Sequence, residues 1–306
     1  MAKAGEKDSA SADEKSDRRA AVEVLAPAAP TSPVIFASPH SGRDYPAALL
    51  KNARLDRHGL RQSEDSYVDL LFETAPRHGA PLLRALFPRA YVDVNRSRDE
   101  LDPRMFADDL PAAADTRSNR VIAGLGVIPR IVADGQDIYA RKLRLADAER
   151  RLAACYDPYH DALSRLIDQA IATFGCAVLI DCHSMPSAGG APLRPGDRPI
   201  DFVLGDRFGA SCAPAVTEIA DATLTGLGYE TARNAPYAGG YVASSYGRPA
   251  KGVHVLQIEI NRALYLDEKR ITRTDAFDSL RASMTTLMQR LTNLDRDSLW
   301  MTQAAE

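Results

Sequence analysis

The sequence predicts a single α/β domain built on a mixed, mostly parallel central sheet with helices on both faces. Three observations carry that expectation. Short, nearly continuous apolar runs recur along the chain, amphipathic stretches of helical period separate them, and no internal repeat or low-complexity tract interrupts the pattern. Parallel strands covered on both faces read as unbroken apolar runs, and helices are their usual cover.

Each element follows from its residues. Residues 1–32 mix charges with Ala and Ser, carry few large apolar groups and lead into Pro27, Pro30 and Pro33. That composition predicts a flexible N-terminal tail ahead of a folded domain over 33–300. The first strand is expected at 34–38 (VIFAS), ended by Pro39. Further strands are expected at 90–94, 177–181 and 254–260, with a weaker one at 200–204. Ser63 is placed to cap a helix whose apolar positions Val68, Leu70, Leu71 and Phe72 lead to Ala75, before Pro76 breaks it. The long stretch 137–174 carries Leu152, Tyr156, Leu163, Ile167 and Ile171 on one face, and Pro158 should split or kink it. Two more helices are expected at about 212–227 and 274–296.

Composition narrows the function. The 306 residues hold 38 Lys and Arg against 41 Asp and Glu, a formal charge of -3, which leaves no large basic footprint for nucleic acid. Hydrophobic residues make up 45% and charged residues 26%, the balance of an ordinary soluble globular protein. No apolar run approaches the roughly 20 residues a membrane-spanning helix needs, and residues 1–19 lack the apolar stretch of a secretory signal. Four cysteines (Cys155, Cys176, Cys182 and Cys212), with no CxxC pair, point to neither a disulfide framework nor a structural zinc site. The expectation is a cytoplasmic protein that acts on a small molecule, with no nucleic-acid or membrane partner.

Open α/β sheets bind ligands beyond the carboxyl ends of their strands, which directs attention to the polar residues found there. The run 34–38 continues into Pro39-His40-Ser41-Gly42, and 177–181 into Cys182-His183-Ser184. One histidine in such a place is ordinarily structural. Two at equivalent strand ends also suit a metal pair, because imidazole is a common zinc ligand. Glu64 and Asp65 offer a third ligand, although both acids could simply complement a helix dipole. Consecutive helical residues diverge, so only one of the two could reach an ion. Arg96 follows the run 90–94 and is a candidate carboxylate anchor, since its guanidinium fork matches two carboxylate oxygens; an ion pair with a nearby acid is the plainer alternative. In the last strand, period two puts Gln257, Glu259 and Asn261 on one face. A carboxylate there is costly to bury unless it is paired, with Arg262 or Arg96, or used chemically. The glycine pair Gly239-Gly240 ahead of Tyr241 would let backbone approach a ligand closely.

Taken in order, five segments resemble the motifs of the N-formylglutamate amidohydrolase family. They are Pro39-His40-Ser41-Gly42, Val92-Asp93-Val94-Asn95-Arg96, Asp157-Pro158-Tyr159-His160, Asp181-Cys182-His183-Ser184-Met185 and Gln257-Ile258-Glu259-Ile260-Asn261-Arg262. The likeness spans roughly 34–268. The arrangement is more distantly similar to zinc carboxypeptidases and aspartoacylase, which implies a zinc-carboxypeptidase-like fold. The resemblance implies a zinc-dependent amidohydrolase of linear amides acting on an N-acyl acidic amino acid, N-formyl-L-glutamate foremost, within histidine breakdown. It implies His40 and His183 as ligands of one Zn2+, with Asp65 the better match for the third and Glu64 the alternative. The His-x-x-Glu spacing of the carboxypeptidases is absent, since Arg43 stands three residues after His40. The resemblance further implies that Asn95 and Arg96 hold the substrate carboxylate and that Glu259 is the general base. Arg130, Tyr159, His160, Gly240 and Tyr241 fall in family-like motifs as pocket residues, and packing explains them equally well. Two rival readings stay open: a zinc carboxypeptidase or other N-acyl-amino-acid deacylase, and a non-catalytic small-molecule binding protein. A serine or cysteine hydrolase has little support, because Cys182 and Ser184 adjoin His183 too closely and no Gly-x-Ser-x-Gly elbow is present.

Overall fold

The computed structural model describes residues 20–132, 135–192 and 198–300. Seven strands form one sheet: β1 (Val22–Leu25), β2 (Val34–Ser38), β3 (Leu82–Ala85), β4 (Ala177–Met185), β5 (Phe202–Gly205), β6 (Thr231–Arg233) and β7 (Val253–Asn261), in the order β1-β3-β2-β4-β7-β5-β6. β3, β2, β4 and β7 run parallel to one another, as do β5 and β6, whereas β1 on β3 and β5 on β7 are antiparallel. The sheet is therefore mixed and mostly parallel.

Alternation along the strands builds a core on each face. Ile35, Ala37, Leu179 and Val255 pack on one side, with Leu163 and Ile167 of the helix Asp157–Phe174. Val34, Phe36, Ile180, Leu256 and Ile258 pack on the other, with Val216 and Leu224 of the helix Pro214–Gly226 and Leu287 of the helix Phe277–Thr292. Among the described residues no helix is long and apolar enough to cross a membrane.

Four expectations need correction. Residues 90–94 are buried apart from the half-buried Tyr91, as their apolarity requires, but form no strand: the amides of Tyr91 and Val92 bond to the Pro88 carbonyl, and that of Asp93 to Val127. The strand is Leu82–Ala85 instead. The expected tail over 1–32 is shortened, because Val22–Leu25 is an edge strand whose Glu23 faces Arg84 across the ladder at 2.8 Å; residues 1–19 lie outside the described residues. Ser63 caps nothing, since 63–67 is irregular and the short helix is Val68–Leu71; Pro76 opens a 3-10 turn, Ala75–His78, which tolerates proline at its start. The long helix begins at Leu145, and a π-helical turn, Leu152–Tyr156, takes up the break just ahead of Pro158.

Candidate metal centre and active site

The carboxyl ends of β2, β4 and β7 open at the same edge of the sheet, and β4 and β7 stay in register to the end, pairing Asp181 with Gln257 and His183 with Glu259. These four side chains share the face whose earlier half is apolar. His40 lies two residues past β2, where the chain turns sharply; a Cβ at Gly42 would overlap the Phe87 carbonyl, so the turn needs glycine there.

The loop before Val68–Leu71 brings the acid. The Asp65 amide bonds to the His40 carbonyl at 3.0 Å, and Ser41 Oγ donates to the Asp65 carbonyl at 2.8 Å, which ties the two segments together. Nδ1 of His40 and Nδ1 of His183 then converge on one oxygen, Asp65 Oδ2, at 3.3 and 3.0 Å. One ligand atom from each of the three buried residues falls within 4.8 Å of the others, a group able to hold a metal ion. Glu64 turns away: Tyr45, Arg61 and Ser66 donate to its carboxylate at 2.7 to 3.0 Å.

Each imidazole is held from behind by a carboxylate. His40 Nε2 lies 2.8 Å from Asp93 Oδ1, and His183 Nε2 lies 2.9 Å from Asp181 Oδ2. Such partners keep the proton on Nε2 and leave the Nδ1 lone pair for a cation. The other oxygen of Asp65 accepts from Arg262 Nη2 at 3.1 Å and from Ser184 Oγ at 3.3 Å. Burial pushes the Asp65 carboxyl up, but hydrogen bonds from His183 and His40 outweigh it and hold the group well below the usual range. Burial would lower the His183 pKa, yet the charge of Asp181 raises it well above the ordinary value.

Glu259 stands beside His183, 9% exposed. Burial, joined by the charges of Asp65 and Asp181, raises its carboxyl to about 7. Gln257 Nε2 donates to Glu259 Oε1 at 2.7 Å, while Gln257 Oε1 accepts from the Gly240 amide at 2.6 Å. Neither Arg262 nor Arg96 pairs with Glu259; Arg262 goes to Asp65 instead.

A cavity of about 280 Å³ opens over this group, lined by His40, Asp65, His183, Asn95, Arg96, Gly240 and Glu259 among others. Asn95 is oriented from both ends: its amide donates to Asp181 at 3.4 Å and its carbonyl accepts from Val242 N at 2.8 Å. Gly240 is needed for that approach, since a Cβ would press on the Asn95 amide. The remaining expected pocket residues do not line the cavity. Arg130 points to Asp102 and Asp137. Tyr159 is fully buried in the core. His160 bridges Val94 O at 3.0 Å and Tyr246 Oη at 2.8 Å and so braces the Asn95 loop from below. Tyr241 starts the helix Tyr241–Tyr246 that supplies the Val242 amide. Sequence reasoning missed Asp93, Asp181, Arg89 and Arg120. For the two acids the signal was present, a carboxylate inside an apolar run.

The profile of the N-formylglutamate amidohydrolase family matches residues 32–266. The chain belongs to the N-formylglutamate amidohydrolase family. Two relatives described as N-formylglutamate deformylase are similar to it: one from Pseudomonas aeruginosa at 29% identity, covering 85% of this chain and 92% of the relative, and one from Pseudomonas putida at 30%, covering 77% and 82%. The crystal structure of an N-formylglutamate amidohydrolase from Ralstonia eutropha JMP134 superposes with a TM-score of 0.84 at 37% identity, over 90% of this chain and 98% of that one. All motifs from His40 to Arg262 fall inside the matched family region.

Proposed function

We propose that the protein hydrolyses the amide bond of N-formyl-L-glutamate to formate and L-glutamate with the help of one zinc ion, as a cytoplasmic enzyme of histidine breakdown. The observation that carries this reading is the convergence of His40, Asp65 and His183 beside a buried Glu259 in a cavity bordered by arginines. The donor set fits a catalytic zinc: two imidazole nitrogens and one carboxylate oxygen, each imidazole backed by a second carboxylate. His40, His183 and Asp65 would hold the zinc ion, which would supply Lewis acidity toward the amide carbonyl and toward water.

The chain's own groups do the rest. Gln257 occupies Glu259 Oε1, so Oε2 takes the proton of the attacking water and passes it to the amide nitrogen as the C–N bond breaks. A carboxyl raised to about 7 suits both halves of that duty. Arg262 and Ser184 fix Asp65, and Asp93 and Asp181 fix the imidazoles, so the group reorganises little during reaction. Arg96, held by the Leu125 carbonyl at 2.8 Å and the Asn95 carbonyl at 2.6 Å, presents a preset guanidinium to the substrate carboxylate.

The test is formate release from N-formyl-L-glutamate against acetate release from N-acetyl-L-glutamate, with Glu259→Gln as control. Glu259→Gln should retain bound metal and lose about 10²- to 10⁴-fold in kcat. Full activity in that variant would overturn the mechanism, and faster acetate release would move the assignment to another deacylase.

A further inference from the structure

Four arginines line the cavity, and their surroundings differ. Arg262 is matched to Asp65 Oδ1 and Ser184 Oγ, both at 3.1 Å. Arg89 is matched to Asp93 Oδ2 at 2.9 Å. Arg96 spends two nitrogens on carbonyl oxygens, and its third lies 3.6 Å from Asp93. The side chain of Arg120 is exposed at the rim and has no acceptor among the described residues.

The backbone under Arg120 is nonetheless fixed. Ser118 caps the short helix Asn119–Ile122 through the Val121 amide, and Arg104 donates to the carbonyls of Val121 and Ile122. The Arg120 carbonyl accepts from Leu125 N at 2.8 Å, and the Leu125 carbonyl accepts in turn from Arg96. One turn of chain therefore sets Arg120 at a constant place relative to Arg96. Arg89, Arg96 and Arg120 gather on this wall as like charges, and Asp93 is shared between the first two. That leaves a surplus of positive charge facing the cavity, which an anion relieves. A guanidinium without a protein acceptor is also the one able to pair with a ligand without first breaking an internal bond.

We propose that Arg120 is a specificity-determining residue that binds the second carboxylate of a dicarboxylic N-acyl amino acid, the first being held at Arg96. This inference rests on the hydrolase reading above and assigns its preference for acidic over neutral amino acids to one side chain. Arg89 and Arg262 are not available for that task, because drawing either away would release Asp93 or Asp65 from its partner.

The experiment compares N-formyl-L-glutamate with the near-isosteric N-formyl-L-glutamine in the wild-type enzyme, Arg120→Gln and Arg120→Lys. The quantity read is the ratio of kcat/KM for the two substrates. Arg120→Gln should lower that ratio about 10- to 100-fold, the worth of a charge-assisted hydrogen bond, with the loss in KM for the glutamate substrate. Arg120→Lys should recover part of it, since the charge returns without the bidentate fork. A ratio unchanged within about twofold, or a parallel loss on both substrates, overturns the proposal. A wild-type enzyme that cleaves neither substrate overturns the hydrolase reading, and this inference with it, whereas cleavage with an unchanged ratio overturns only the role of Arg120.

Discussion

His183 and His254 sit on neighbouring central strands, 3% and 0% exposed, yet their environments drive them in opposite directions. His183 faces the cavity between Asp65 and Asp181, and its pKa rises well above the ordinary value although burial pulls it down. His254 lies on the other face of the sheet, among the residues that pack under the helix Pro214–Gly226. Its Nδ1 accepts from the Ala213 amide at 3.1 Å, no charged group among the described residues pairs with it, and burial lowers its pKa to about 4. Equal burial gives opposite outcomes because carboxylates surround one imidazole and hydrocarbon the other. The same contrast runs along both strands. Ile180 and Cys182 on β4, with Leu256 and Ile258 on β7, keep one face apolar, while His183, Gln257 and Glu259 turn the opposite face polar over the cavity, with Asp181 buried behind His183. A polar residue in a buried strand signals chemistry when its neighbours are charged and the face opens to a cavity. A closed apolar face around it signals packing.

The largest effect should come from removing the cavity-side histidine. His183→Ala should lose bound metal and formate release together, measured by elemental analysis and by assay on the same preparation. Metal retained at full stoichiometry would show that His183 is not a ligand. A smaller effect is expected one residue pair behind it. Asp181→Asn keeps the shape and removes the charge at His183 Nε2, so metal affinity should weaken about 10- to 100-fold with the fold intact. Competition with a chelator measures this, and unchanged affinity would mean that Asp181 does not orient the imidazole.

The contrast between the faces also explains what could be read from sequence. The strands β2, β4 and β7 were legible because both of their faces are covered and their apolar runs are unbroken. The run 90–94 has the same look, but Pro88 turns the chain and takes two of its amides, and periodicity does not separate a buried turn from a buried strand. β1 is four residues long and only partly buried, so its composition merged with the charged segment before it. At the site, His40, His183 and Glu259 were legible as polar groups at the ends of apolar runs. The choice of Asp65 over Glu64 came from the family resemblance and not from the local pattern, because a loop containing Tyr67 at φ 66° decides which carboxylate turns inward. Arg120 was invisible for a similar reason: its place on the cavity wall depends on how two loops pack, not on any local pattern.

The smallest effect belongs to the apolar face and has a definite sign. His254 is neutral in the folded protein down to about pH 4, whereas the unfolded chain protonates it near its ordinary value of about 6.5. Its contribution is thus fully present above pH 6.5 and is lost as pH falls toward 4, because acid then favours the unfolded chain. The two pKa values bound that loss at about 3 kcal/mol. His254→Gln can still accept the Ala213 amide but does not titrate, so its stability should fall less steeply over the same range. Chemical denaturation at pH 7, 6, 5 and 4 measures the difference between the two proteins, in which the carboxylates and His160, common to both, cancel. The gap should narrow on the acid side. Parallel curves would mean that His254 carries its charge inside the fold, and the division between a charged cavity face and a neutral packing face would no longer hold.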